Sequence, residues 1–225
     1  MFKYFLKLIF PDNCINCREL TDKNFCDKCL LKLKQHTEAT GNKHTLCEPK
    51  GYNLQIANSA KYEHYGLLSK AIKQYKYHGR KNLVIELTDL LYQALYNQFP
   101  WLFWEVKNML ICPIPSSWLR KNKHGFDHTG LLARSLAERI GSNVWDGLKV
   151  KNLLSSKSQV GSDGIARRTR KITFLLSKKP PSGCKIILID DVVTTGSTFK
   201  AAARCLHEYD QTLTIYALAI ASRLR

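Results

Sequence analysis

The chain is poor in acidic residues and lacks a long hydrophobic run. Its 225 residues include 18 Asp and Glu against 35 Lys and Arg, which gives a formal net charge of +17. The apolar residues 1–10 are interrupted by two lysines and fall short of the roughly 20 residues that span a bilayer. This excludes stable membrane insertion, so we expect a cytoplasmic protein in which residues 1–10 form a short amphipathic helix. A weak contact with a membrane surface is the alternative for this segment.

The positive charge is unevenly distributed along the sequence. Residues 115–185 contain 15 Lys and Arg but only four Asp and Glu, a local excess of 11. A small phosphorylated ligand would not require so many cations, whereas the backbone of a nucleic acid would. The charge therefore favours a polyanionic partner. A generally basic, solvated surface is the alternative.

Two closely spaced cysteine pairs near the start of the chain predict a metal site. Cys14 and Cys17 form one C-x-x-C pair, and Cys26 and Cys29 form a second, with eight residues between the pairs. Four thiolates at this spacing can bind zinc tetrahedrally. Residues 18–25 are too few to build a core, so the metal would supply the order that packing cannot. Disulfides are the alternative, and they would require an oxidising compartment.

Residues 186–198, I-I-L-I-D-D-V-V-T-T-G-S-T, combine a buried strand with an acidic pair and a polar turn. The apolar run 186–189 is typical of a strand covered on both faces. Asp190 and Asp191 follow at its carboxyl end, where α/β sheets bind ligands. The hydroxyls and N–H groups of residues 194–198 suit a phosphate, and Gly196 allows a positive φ. A strand, a capped turn and a helix without any ligand is the alternative.

Hydrophobic periodicity predicts an alternating α/β chain. Strands are expected over residues 54–62, 109–114, 143–154, 186–189 and 212–221, and helices over 66–77, 82–99, 127–140 and 199–207. This alternation predicts a mostly parallel sheet flanked by helices. The polar residues 37–51 indicate a boundary, which gives a zinc-binding module over 1–50 and an α/β domain over 51–225. The Gly- and Ser-rich basic residues 155–171 are expected to be mobile without ligand.

The motif at residues 190–198 resembles the phosphoribosyl pyrophosphate (PRPP) loop of type I phosphoribosyltransferases. The resemblance implies that Asp190 and Asp191 accept hydrogen bonds from the ribose hydroxyls, while residues 194–198 hold the 5′-phosphate. The implied PRPP-binding residues are Asp190, Asp191, Val192, Val193, Thr194, Thr195, Gly196, Ser197 and Thr198, with Pro115 and Ser116 from an earlier turn. The implied clamp on the diphosphate comes from the basic residues Arg167, Arg168, Arg170 and Lys171. Mg²⁺ would accompany the PRPP.

A wider resemblance covers nearly the whole chain. The paired cysteine motifs, Y-K-Y-H-G-R, P-I-P-S-S-W-L-R-K-N-K-H-G-F-D-H, the basic segment and D-D-V-V-T-T-G-S-T occur in that order. Together they resemble the ComF family of competence proteins. This resemblance implies a zinc-finger module joined to a phosphoribosyltransferase-like domain, and a role with single-stranded DNA and other competence proteins during natural transformation. The aromatics near cations that could stack on bases are Tyr75, Tyr77, Trp118 and Phe126, and a place in the hydrophobic core is the alternative for each of them.

Two other functions are compatible with the same residues. One is a metabolic phosphoribosyltransferase, in which the anomeric carbon of PRPP is attacked by an acceptor and pyrophosphate leaves. The other is a regulator that binds PRPP without turnover. No acceptor pocket can be identified in the sequence, so we favour the DNA-handling interpretation.

Overall fold

The computed structural model describes residues 13–47, 53–64, 66–115, 126–151 and 172–224. The α-helices of this part of the chain are α1 Asp27–Thr40, α2 Leu67–Tyr77, α3 Val84–Gln98, α4 His128–Ile140 and α5 Ser197–Tyr209. Two 3₁₀ helices span Lys81–Leu83 and Pro100–Asn108. The strands are β1 Asn42–Cys47, β2 Asn53–Lys61, β3 Met109–Pro113, β4 Asn143–Val144, β5 Leu148–Val150, β6 Phe174–Leu176, β7 Lys185–Val193 and β8 Thr214–Ser222.

Six of these strands form one sheet in the order β1-β2-β8-β7-β3-β4. All neighbouring strands in it are parallel except β1, which pairs with β2 in the antiparallel direction. β5 and β6 form a separate antiparallel pair. The predicted fold class, a mostly parallel sheet flanked by helices with a small cysteine-rich module at the start of the chain, is confirmed.

The sheet is covered on both faces, as its apolar strands require. In β7, Ile187 and Ile189 pack into the core formed with α1, α2, α3 and α4. Ile186 and Leu188, on the opposite face, pack with α5 and the β5–β6 pair. Successive side chains of a strand point to opposite faces, so β7 divides two hydrophobic cores. Each polar side chain at the carboxyl end of β7 therefore lies on the side of one core or of the other.

Two stretches differ from the expectation. Residues 37–51 read as an aperiodic boundary, yet β1 lies within them, because an exposed edge strand is held by its backbone pairing with β2 and needs few apolar residues. Residues 143–154 do not form one strand. The chain leaves the main sheet after β4, and Gly147 packs so closely against Trp145 that a Cβ there would lie 2.3 Å from the indole ring. β5 then pairs with β6 instead.

The predicted boundary between the two modules falls in residues 48–52, outside the described residues. The division into 1–50 and 51–225 therefore stays a prediction. The proposed amphipathic helix over residues 1–10 also lies outside them. None of the helices that the structure describes is long and apolar enough to cross a membrane.

Candidate functional site

The phosphate-type turn connects β7 to α5. β7 extends through both aspartates to Val193, further than the apolar run predicted, because it continues to pair with β8 up to Ser222. Gly196 then adopts a left-handed conformation with φ of 73°, and α5 begins at Ser197, two residues before the predicted start. The Ser197 amide donates to Thr195 Oγ1 over 3.3 Å. The turn therefore has the backbone geometry that its glycine predicted.

The two adjacent aspartates have different environments. Asp191 is only 3% exposed. Its Oδ2 forms an ion pair with Lys76 Nζ and lies 3.6 Å from His128 Nε2, and its Oδ1 accepts a 2.6 Å hydrogen bond from the Val192 amide. Asp190 is partly exposed, and its Oδ1 accepts the Asp191 amide over 2.8 Å. Since alternate side chains of a strand face opposite ways, Asp191 faces α2 and α4.

Lys76 and His128 are the site residues that sequence analysis missed. Lys76 lies in the last turn of α2, and His128 is the first residue of α4, directly after the N-cap Asp127, whose Oδ1 accepts the Gly130 amide over 3.2 Å. Both belong to motifs noted above, Y-K-Y-H-G-R and G-F-D-H, but neither motif shows which strand its residues would face. Only the packing of α2 and α4 on the sheet brings them to Asp191.

Tyr75 holds these two helices together. Its hydroxyl donates to the backbone carbonyl of His128 over 2.8 Å, and its ring is fully buried. Burial raises the pKa of this phenol, so the hydroxyl remains a donor at any physiological pH. Tyr75 therefore positions Lys76 and His128 and is not available to stack on a nucleic-acid base; of the two interpretations of this residue, the core position is the one that the structure shows.

A cavity of about 340 Å³ opens beside the aspartates. Lining residues that the sequence predicted are Pro115, Asp190, Asp191, Val192, Thr194 and Thr198. Others come from neighbouring elements: Lys76, Tyr77, Ile114, His128, Thr129, Val150, Ile172 and Phe174. Thr195, Gly196 and Ser197 form the turn at the rim, whereas Val193 is buried in the core beneath α5. Most of the predicted pocket residues are thus brought together at the carboxyl edge of the sheet.

Several predicted site residues lie outside the described residues. These are Ser116 and the four basic residues of the proposed clamp, Arg167, Arg168, Arg170 and Lys171. Val150 and Ile172, which flank the basic segment in sequence, both line the cavity. The clamp itself stays a prediction, because only residues on either side of its segment are described.

The four predicted cysteine ligands converge. The Sγ atoms of Cys14, Cys17, Cys26 and Cys29 all lie within 4.8 Å of one another, and Cys17 and Cys26 are 3.5 Å apart. A tetrahedral site with zinc–sulfur distances of about 2.3 Å places its sulfurs roughly 3.8 Å apart. The cluster therefore has the size and donor set of a Cys₄ metal site, and the four residues together can hold one ion.

Backbone amides prepare one of these thiols for metal binding. Burial of Cys14 favours its neutral form, but amides of Cys17, Cys26 and Asn16 directed at its sulfur outweigh burial and lower its pKa to about 6. A thiolate is the form that binds metal. Asn16 Nδ2 also donates to Cys29 Sγ over 3.4 Å. This contact acts to lower the pKa of Cys29, but burial and the neighbouring thiols of Cys14 and Cys26 outweigh it and raise that pKa above its ordinary value. Cys47 is exposed and lies outside the cluster.

The cysteine cluster is joined to the α/β body by polar contacts. Lys70 Nζ of α2 donates to Asn16 Oδ1 over 3.1 Å, and Asn24 Nδ2 donates to Glu86 of α3 over 2.9 Å. Phe25, between the cysteine pairs, is 2% exposed and packs in the core that α2, α3 and α4 form with the sheet. The residues around the cluster are therefore anchored to the same helices that carry the pocket.

Comparison with known proteins supports a relationship along most of the chain. No family model matches it. It is 26% identical over 211 residues to the competence protein ComFC of Bacillus subtilis, covering 90% of this chain and 82% of that protein. It is also 28% identical over 147 residues to the DNA utilization protein YhgH of Salmonella typhi, covering 62% of this chain and 60% of that protein. YhgH of Escherichia coli O157:H7 is 27% identical over 188 residues, which cover 83% of this chain and 79% of YhgH.

The chain is similar in sequence to these three proteins. Solved structures similar to it include adenine phosphoribosyltransferase of Saccharomyces cerevisiae, with a TM-score of 0.40 and 16% identity over 87% of this chain and 90% of that one. Another is orotate phosphoribosyltransferase of Aeropyrum pernix, with a TM-score of 0.39 and 14% identity over 86% of this chain and 81% of that one. The fold is established by the sheet order and the turn of this chain itself.

The remaining aromatics proposed to stack on bases are placed differently. Tyr77 is exposed and lines the cavity. Phe126 is partly buried, with Lys81 Nζ 5.3 Å from its ring centroid, and Trp118 lies outside the described residues. Tyr77 is the one of these four that the structure shows to be accessible.

Proposed function

We propose that the cavity at the end of β7 binds PRPP or a related phosphoribosyl ligand. The turn at residues 194–198 would hold the 5′-phosphate, and the neighbouring aspartates would face the ribose. The observation that carries this proposal is the left-handed Gly196 turn at the rim of a cavity lined by Asp190 and Asp191. A helix N-terminus beside two carboxylates suits a sugar phosphate better than a simple anion, because sugar hydroxyls can donate to the carboxylates.

The Lys76–Asp191 pair explains how two carboxylates can lie beside an anion site. Two unpaired carboxylates would repel a phosphate, so some cation or hydroxyl donor is required. Lys76 supplies that cation from α2, next to the more buried carboxylate. Asp190, which is partly exposed, is then the carboxylate better placed to meet the ribose hydroxyls. Lys76 would keep the charge of the cavity compatible with a diphosphate.

We assign zinc to the cysteine cluster and magnesium to the ligand. A Cys₄ site closed by protein thiolates has a structural role, since it leaves no open position for a substrate. Magnesium favours substrate phosphates and water over all-protein sites, so it would enter with PRPP and neutralise the diphosphate. Of the two aspartates that line the cavity, Asp190 is the more exposed. Reduced cysteines suit the cytoplasm, which is where we place the protein.

The proposal includes a role with single-stranded DNA in natural transformation. Two kinds of evidence support it: the curated homologues are called competence and DNA utilization proteins, and the chain carries a net charge of +17. We expect affinity for single-stranded DNA to fall steeply as salt is raised, because cations on the protein release counterions from phosphates. Absent binding, or binding insensitive to salt, would contradict this part of the proposal.

Calorimetric titration of zinc-replete protein with PRPP, with and without magnesium, tests the pocket. The variant Asp191→Asn with Thr195→Ala should lose PRPP binding and keep its zinc content and its circular dichroism. The matched control, Asp89→Asn with Thr45→Ala, removes an exposed carboxylate and an exposed hydroxyl away from the cavity and should bind normally. Normal binding by the first variant, or no binding by the wild type, would refute the assignment.

A further inference from the structure

An exposed aromatic surface lies at the opposite edge of the sheet from the cavity. It is formed by Tyr96 of α3 and by Trp101 and Trp104 of the 3₁₀ helix Pro100–Asn108, with exposed fractions of 56%, 45% and 90%. That 3₁₀ helix leads into the amino end of β3, whereas the cavity lies at the carboxyl ends of the strands. We name these three residues, with Lys43 and Lys107, the aromatic patch.

We propose that the aromatic patch binds single-stranded DNA by stacking bases on Trp101 and Trp104. This inference rests on the DNA role proposed above and gives that role a location. Aromatic platforms with adjacent cations are the usual means by which proteins hold single strands without sequence preference.

Two of the three rings are held by neighbouring rings. Trp101 packs edge-on against Phe99 with centroids 5.7 Å apart, and Tyr96 packs edge-on against Phe103 at 5.7 Å. Because the Trp101 ring is already ordered, a base that stacks on it loses little of its binding energy to ordering the protein. Trp104 is 90% exposed and offers its ring to a ligand.

The charges around the rings favour a polyanion. Lys43 Nζ lies 5.6 Å from the Trp101 ring centroid, and Lys107 is exposed near the end of Pro100–Asn108, beyond a kink at Glu105. Glu105 itself forms an ion pair with Lys185, and Asp89 of α3 forms one with Arg139. The patch thus combines aromatic faces with two lysines, and the carboxylate within its 3₁₀ segment is paired with a cation.

The spacing of the two tryptophans favours a single strand over a duplex. Residues three apart in a 3₁₀ helix lie on the same face, separated by a rise of about 6 Å. Stacked bases in a duplex strand are about 3.4 Å apart, so a strand whose bases stack on both rings must be extended. A paired and stacked duplex cannot present its bases in this way.

A second copy of the chain fits this surface less well. Lysine is depleted in the cores of protein interfaces, yet Lys43 lies against the rings. Two copies that each carry a charge of +17 would also repel one another. Self-association through the patch is therefore the alternative that the experiment must separate.

The test is fluorescence anisotropy with a labelled oligodeoxythymidylate on the full, zinc-replete chain. Trp104→Ala should weaken binding at least about five-fold, and Trp101→Ala with Trp104→Ala should weaken it further, as expected for loss of stacking on each base. Trp104→Phe should retain most of the affinity. Tyr209→Ala is the matched control, because Tyr209 is also exposed and has Lys179 at 5.7 Å, but it lies on α5 and should leave binding unchanged.

Two further measurements separate stacking from charge and from folding. Lys43→Ala with Lys107→Ala should reduce the slope of log affinity against log salt by about 1.4, whereas the tryptophan variants should leave the slope unchanged. Trp104 is almost fully exposed, so its replacement should not alter thermal unfolding. If Trp101→Ala misfolds because it loses Phe99, Trp104→Ala alone decides the question. Duplex DNA and single-stranded RNA of equal length serve as comparison ligands, and duplex should bind much more weakly.

The possible failures can be told apart. If the wild type does not bind single-stranded DNA, the proposed DNA role itself fails. If the wild type binds and the double tryptophan variant binds equally well, only the location on the aromatic patch is refuted. If sedimentation shows that the tryptophan variants break a dimer while DNA affinity is unchanged, the patch is an interface between copies and the inference is overturned.

Discussion

The cysteine cluster and the cavity beside Asp190 and Asp191 are held in place by different forces. The cavity is bounded by β7 and by helices packed on a sheet that is buried on both faces. The cysteine pairs lie in a short segment whose own apolar contribution is essentially Phe25 and the cysteines themselves. The cavity should therefore keep its shape without ligand, whereas the order of the cysteine segment should depend on its metal. The predictions below test this contrast.

The largest expected effect is the loss of the metal site. Cys14→Ser with Cys29→Ser should abolish zinc binding, measured by metal analysis, and should greatly increase amide hydrogen exchange in residues 13–26. Exchange in β7 and β8 should change little, because these central strands are packed on both faces of the sheet and most of their core lies outside the cysteine segment. Cys47→Ser is the matched control, since Cys47 is exposed and outside the cluster. Equal loss of protection in β7 would show that the two regions depend on the same force.

The next effect concerns the charge buried behind the cavity. Lys76→Met removes the cation beside Asp191 and should lower the free energy of unfolding by roughly 3–5 kcal/mol, because an unpaired buried charge is costly. Lys73→Met, an exposed position on the same helix, should cost little. Adding Asp191→Asn to Lys76→Met should restore much of the loss, since the unpaired charge is removed. Urea denaturation of the wild type, Lys76→Met, Asp191→Asn and the double variant completes the cycle, with Lys73→Met as the control. Additive losses in the double variant would contradict the pairing.

A smaller loss of stability is expected when the turn at the cavity rim is changed. Gly196→Ala forces a Cβ onto a residue with φ of 73°, and this Cβ would lie 2.3 Å from Leu46 Cδ1. The strain should cost about 1–2 kcal/mol, and displacement of the turn should weaken PRPP binding in calorimetry. Gly141→Ala is the matched control, because Gly141 has the same φ, nothing lies within 4 Å of its Cβ position, and it ends α4. It should lose similar stability and bind PRPP normally.

The smallest effect is expected at an exposed ion pair. Lys178 Nζ donates to Asp146 Oδ1 over 2.8 Å, and this hydrogen bond lowers the pKa of the Asp146 carboxyl. The two side chains are 65% and 60% exposed, so the pair should contribute less than about 1 kcal/mol. A carboxyl with a lowered pKa stabilises the fold above its unfolded pKa of about 3.9, and this contribution is lost as the pH falls through the folded pKa. The stability difference between wild type and Lys178→Met should therefore be small at neutral pH and should vanish in acid.

Much of the cavity could be predicted because its chemistry is local in sequence. The run from Ile186 to Thr198 contains the strand, both aspartates, the glycine and the start of the helix, and it resembles a known loop. The cysteine ligands were predictable for the same reason, since C-x-x-C spacing places each pair at one turn.

The parts that could not be predicted depend on contacts between distant segments. Lys76 and Asp191 are separated by 115 positions in the sequence, and no periodicity shows that α2 ends beside β7. Tyr75 lies on the apolar face of its helix but has cations near it in sequence, so base stacking and a core position were both open until the packing showed it buried. β1 was missed because an edge strand can be stabilised by its backbone bonds alone. The exposed tryptophans gave no signal either, since an apolar run such as P-W-L-F-W reads equally well as core.

The helix α2 gives these two regions a common mechanical support. Lys70 contacts Asn16 beside the cysteines, and Lys76 contacts Asp191, and the two lysines are separated by about 9 Å along the helix axis. A helix resists compression, so a shift of the loop around Asn16 along this axis would move Lys76 and the Asp191 carboxylate by a similar distance. Loss of order around the four cysteines would then displace the Lys76–Asp191 ion pair at the cavity, even though none of these cysteines lines it.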